Sequence, residues 1–200
     1  MSTTLSQGDT RHRMARLVTE VMSPVVLIVL VILIVAVDSA GLGRGLLLGL
    51  IAVFFAAGFP YGLVLIGVRR GRITDHHVSL REQRPRMMAI ALASVITGLL
   101  VLRWLDAPRA LFALVAAMVA GLAVALAITS FWKISIHAAA AAGTVTSLAI
   151  LVSPWWLLVA PLVVLTGWAR VEIRDHTPVQ VSVGAIVGAV VAAGVLSLVS

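Results

Sequence analysis

The chain has 200 residues, 61% of them hydrophobic, and a mean hydropathy of +1.12, which excludes an ordinary soluble domain. Its formal charge of +7 accompanies that apolar composition, so it points to membrane topology and anionic lipid, not to nucleic acid. There is no cysteine, which removes disulfides and thiol chemistry.

In chain order, residues 1–23 come first as a polar tail. Met14, Leu17, Val18, Val21 and Met22 recur there at helical spacing, with Arg13, Arg16 and Glu20 between them. That pattern fits an amphipathic helix on the inner leaflet, and a charged tail that only fixes orientation fits it equally well. No cleavable leader is evident, and the apolar run from Pro24 is long enough to be retained as a span. A spanning helix needs about 20 mostly apolar residues. Stretches 24–43, 46–68, 86–104, 109–131, 134–152, 154–169 and 177–199 meet or approach that length. The division between the fifth and sixth rests on Ser153-Pro154, followed by Trp155-Trp156, which suit an interfacial turn. Asp38, near the end of the first span, is expected at the outer interface. The predicted fold class is all-α: one integral membrane helical bundle over 24–200, with about six or seven transmembrane helices.

Charge sets the orientation. The tail carries Arg11, Arg13 and Arg16, and the loop after the second span carries Arg69, Arg70, Arg72, Arg81, Arg84 and Arg86. Lys133 follows the fourth span, and Arg170 and Arg174 follow the sixth; the other side has Arg44, Arg103 and Arg109. The heavily basic side is cytoplasmic by the positive-inside rule, even when Arg84, Lys133 and Arg170 are set aside. A multi-pass protein of the plasma (bacterial inner) membrane is expected.

Three polar clusters carry candidate chemistry. The first is the loop from Asp75-His76-His77 to Arg84-Pro85. The second is Lys133, Ser135 and His137, at the entry to the fifth span. The third is Arg170 with His176, followed by Thr177-Pro178, which reads as an N-cap with proline at the first helical position. His176 then sits at a helix start, where unpaired N–H groups favour an anion, and Arg170 offers a planar fork for phosphate oxygens. A histidine as close to hydrocarbon as His137 is a candidate site residue by default. An even number of spans separates the clusters, so all three return to one face. Gly184-x-x-x-Gly188 and the run from Ala138 to Gly143 allow close helix approach, without implying a dimer.

Together the clusters resemble the type 2 phosphatidic acid phosphatase family, integral-membrane lipid phosphatases related to vanadium haloperoxidases, across residues 69–199. That family carries Lys-x6-Arg-Pro, then Pro-Ser-Gly-His, then Ser-Arg-x5-His-x3-Asp. Here the first reads His77-x6-Arg84-Pro85, the second Ile134-Ser135-Ile136-His137, and the third Ala169-Arg170-x5-His176-x3-Gln180. His77 stands for a lysine, with Lys133 able to supply the cation. Ile136 stands for a glycine, and Gln180 for the aspartate that would orient and charge-stabilise the nucleophile.

The resemblance implies His176 as the nucleophile, forming a phosphohistidine, and His137 as the general acid. It implies Arg84, Lys133, Ser135, Arg170 and His77 as phosphate ligands. Gln180, one turn after His176, is expected to accept its hydrogen bond, and Asp175 is a second orienting candidate. The set requires no metal or other cofactor. The expected partner is a lipid phosphate at the inner leaflet: a polyprenyl phosphate or diphosphate, phosphatidic acid or phosphatidylglycerol phosphate. Bacterial relatives often face outward, so the cytoplasmic placement is a departure. Three other readings compete. One is a non-catalytic lipid-phosphate binder or transporter that keeps a degenerate site, favoured by Gln180 and Ile136. Another is a metal site from Asp75, His76, His77, His137, Asp175 and His176, which Arg84 and Arg170 oppose. The last is a structural membrane protein.

Overall fold

The computed structural model describes residues 2–70 and 84–199, and within them the side chains other than those of 2–9, 68, 84 and 85. Every regular element among these residues is helical. The polar tail is α1 (Ser2–Val21), which docks on α8 (Pro161–Glu172) by burying Ala15 and Thr19. Arg11 Nη2 reaches Glu172 Oε2 at 3.0 Å across that seam. Ser23 then caps the next helix, accepting from the Val26 N–H, with Pro24 in the first turn.

Residues 24–67 form a single apolar helical run of 44 residues by length, yet they fold into two antiparallel arms. α2 (Pro24–Ala40) ends at Gly41, whose φ of 73° turns the chain back through a π-helical segment, Gly41–Gly45. The left-handed backbone there is available to glycine without steric cost. α3 (Leu46–Val53) returns along α2, so closely that a Cβ on Gly49 would lie 3.1 Å from Ala36 Cβ. A second π-helical segment, Phe54–Gly58, leads into α4 (Phe59–Arg69). The expected break between 43 and 46 therefore falls a few residues earlier, at Gly41.

The remaining arms are α5 (Arg84–Trp104), α6 (Arg109–Phe131), α7 (Ile136–Leu151), a 3-10 turn (Pro154–Val159) running into α8, and α9 (Pro178–Val199). Among the described residues five helical runs are long and apolar enough to cross a membrane: Pro24–Gly67, Arg86–Trp104, Arg109–Phe131, Pro154–Glu172 and Pro178–Val199; this fits the expected multi-pass helical bundle. α7 is short, at 16 residues, or about 24 Å. The apolar core joins Val31, Ile32 and Val35 of α2 to Leu48, Val95, Leu102, Leu111, Leu114 and Leu148.

Contacts at the two ends fix the parity of the crossings. At one end Arg44 Nη2 donates to the Asp106 carbonyl at 2.9 Å, and Arg109 Nε to the Val199 carbonyl at 2.7 Å. The Gly41 turn, the α5–α6 turn and the last turn of α9 therefore share that end. At the other, Lys133 Nζ donates to the Asp175 carbonyl, and the Ser135 N–H to the Gln180 carbonyl at 3.3 Å. Two of the polar clusters thus meet, as the even-span separation predicts.

Candidate active site

The site begins with two helix starts. Ser135 is the N-cap of α7, in extended backbone geometry, and its Oγ accepts from the Ala138 N–H at 3.4 Å. His137 follows in the first turn of α7, 7% exposed. α9 opens with a reciprocal capping box: Gln180 N–H donates to Thr177 Oγ1 at 3.3 Å, and Thr177 N–H to Gln180 Oε1 at 3.1 Å. His176 immediately precedes the cap and is also 7% exposed.

The two starts are held together by glycine. α9 lies so close on α7 that a Cβ at Gly184 would sit 2.6 Å from the Ser135 carbonyl oxygen, and one at Gly188 would overlap the Ala139 backbone. Small residues that permit backbone contact are the usual device for packing helices in lipid. The Gly184-x-x-x-Gly188 pattern is thus used within the chain.

The capping box also fixes the tautomer of His176. A backbone N–H can only donate, so the Gln180 atom it meets is the amide oxygen. His176 Nδ1 lies 3.2 Å from that same oxygen and must therefore carry the proton. In the neutral ring this leaves the lone pair on Nε2. Gln180 thus accepts from the imidazole one turn before it, through a neutral dipole.

The α8–α9 turn places the arginine. Arg174 takes φ 59°, and the N–H groups of Asp175 and His176 both donate to the Arg170 carbonyl, at 3.1 and 3.2 Å. This tight reversal brings Asp175 Oδ2 to 2.5 Å from Arg170 Nη2, and the guanidinium is almost fully buried. A buried cation needs such a partner to offset its desolvation. Asp175, a candidate for orienting His176, turns its carboxylate to Arg170 because the reversed turn directs it there.

His137, Arg170 and His176 line a cavity of about 510 Å³. Glu20 and Ser23, at the α1–α2 corner, contribute further polar wall, as does Tyr61. The remainder is apolar: Pro24, Val25, Val26, Ala56, Ala57, Pro60, Val64, Met87, Met88, Ala91 and Ile136. A second, almost wholly apolar cavity of about 170 Å³ shares Pro24, Ala56 and Ile136 with it and runs on among α2, α6, α7 and α9.

Two of the expected phosphate ligands do not line the cavity. Ser135 is fully buried with its Oγ committed to the cap, and Lys133 ties the α6–α7 loop to the Asp175 carbonyl. His77, with Asp75 and His76, lies outside the described residues, as does the Arg84 side chain. Among the described residues no group of three His, Cys, Asp or Glu is placed to hold a metal ion. Glu20 and Tyr61 were not candidates from sequence. Glu20 reaches the wall only because α1 docks on α8, which no local pattern announces. Compared with protein-family models, curated protein sequences and solved structures, the chain matches none.

Proposed function

We propose that the protein is a membrane lipid-phosphate phosphatase, a diverged member of the type 2 phosphatidic acid phosphatase superfamily, acting through a phosphohistidine. The observation that carries this reading is the cavity itself. Two histidines and a buried arginine, supplied by separate arms, line a chamber whose other walls are largely apolar. An amphiphile with a phosphate head and a hydrocarbon tail is the ligand such walls suit.

His176 Nε2, bearing the lone pair, attacks phosphorus while the bond to the lipid oxygen breaks. His137 gives that oxygen its proton and leaves the lipid alcohol (or monophosphate, from a diphosphate). Arg170 neutralises charge on the transferring group, beside the N-terminal end of α9. Water then gives a proton back to His137 as its oxygen attacks phosphorus, the electron pair of the P–N bond returns to Nε2, and inorganic phosphate departs. The reading of charge along the chain puts this chemistry at the cytoplasmic face.

A non-catalytic lipid-phosphate binder is the second reading, and Gln180 favours it. Its amide holds the imidazole in place but cannot balance an imidazolium charge as a carboxylate would. Phosphate release from a panel of polyprenyl phosphates, phosphatidic acid and phosphatidylglycerol phosphate, in excess EDTA and beside His176→Ala, separates the two. Release lost in the mutant supports the enzyme; lipid binding without release from either protein supports the binder.

A further inference from the structure

α1 is not one of the crossing arms, yet it holds large apolar side chains away from the protein. Met14, Leu17 and Val21 are each more than half exposed and, at i, i+3 and i+7, form one stripe along the helix. Ala15 and Thr19 lie on roughly the opposite side, buried against α8, so the stripe is not the face that docks. On a crossing arm, exposed leucine or valine faces lipid tails and needs no further account. On a helix that also carries Arg11, Arg13 and Arg16, the same exposure would face water unless something covers it.

Position and charge identify the cover. α1 sits at the end of the bundle where its last turn, through Glu20, and the following Ser23 form part of the cavity wall. Arg16 is exposed on the same helix, and Arg11 is tied to Glu172. An apolar stripe on a helix that also presents Arg16, and whose other face is docked, matches a leaflet of anionic phospholipid: acyl chains for the stripe, phosphate for the guanidinium. We propose that α1 lies on an anionic leaflet at the cavity end of the bundle, and that this contact seats the Glu20–Ser23 corner at the cavity mouth. The inference stands apart from the phosphatase reading, since it concerns the face of α1 turned away from α8.

The absence of native cysteine makes the test direct. Leu17→Cys and, separately, Val21→Cys in the full chain are labelled with an environment-sensitive fluorophore. Each is reconstituted in vesicles of phosphatidylcholine alone or mixed with phosphatidylglycerol. The expected result is blue-shifted emission, quenched from within the bilayer, in the phosphatidylglycerol vesicles. Arg16→Gln should lower the embedded-to-free ratio about fivefold, and high salt should lower it in the parent. Equal embedding in both vesicle types, unmoved by the arginine change or salt, overturns recognition of anionic lipid. Labels quenched only from the aqueous side overturn the surface contact altogether.

Discussion

On the α7–α9 side of the cavity the helices meet backbone to backbone, whereas on the α2–α4–α5 side they meet through side chains and a π-helical turn. Gly184 and Gly188 bring α9 onto the Ser135 and Ala139 carbonyls, and His176 and His137 stand at the near ends of those two helices. Across the cavity, Ala56 and Ala57 belong to the π-helical segment Phe54–Gly58, braced from α5 by Ser94 Oγ donating to the Phe55 carbonyl at 2.7 Å. Segments of this kind recur at functional sites because the wider turn redirects side chains. The difference teaches where tolerance lies. Where α7 and α9 meet, an added methyl strikes backbone, which has little room to shift, while across the cavity a comparable contact, a Cβ on Gly98 lying 2.6 Å from Phe55 Cβ, meets a side chain.

The largest effect is expected at the close contact. Gly188→Leu drives a side chain into the Ala139 backbone and should cost about 3 kcal/mol or more, with phosphate release falling to background. Thermal unfolding in detergent measures the first and the release assay the second. A variant that keeps both properties breaks the comparison.

Gln180 comes next. Gln180→Leu removes the acceptor for both His176 Nδ1 and the Thr177 N–H, and turnover should fall about 10²-fold or more, by analogy with triads that lose their orienting residue. Gln180→Glu preserves the capping box and adds the missing charge, so turnover should rise above the parent. If the glutamate variant is slower than the leucine one, orientation is not what Gln180 supplies.

On the tolerant side, Val64→Phe should fit the bundle but narrow the chamber. KM for a long-chain lipid phosphate should rise about tenfold, with kcat for a short water-soluble phosphate ester unchanged. Loss of both substrates alike would place Val64 with the reacting groups. The smallest change is expected for Ser135→Ala. It removes an N-cap worth about 1 kcal/mol and should lower the unfolding midpoint while leaving turnover nearly intact. A collapse of turnover without loss of stability would return Ser135 to the phosphate.

The sequence by itself determined the membrane bundle, the arms, and the meeting of the second and third clusters at one end. Each depends on a quantity that adds up along the chain: apolar transfer per residue, basic residues per loop, and the parity of crossings. The cap at Thr177 and the partner of His176 were also legible, because both lie within one turn of α9. The Ser135 cap of α7 and the Asp175 partner of Arg170 are just as local, three and five residues apart, but the resemblance in sequence assigns both residues other roles. Only the tertiary structure decided that Glu20 reaches the cavity from a tail that had two equal readings. It also decided that the expected reversal after the first arm falls at Gly41 and that Ala56 and Ala57 of a π-helical segment line the cavity. These outcomes depend on how each helix is rotated and how near its neighbour lies, and hydropathy counted along a chain carries neither direction nor distance between helices.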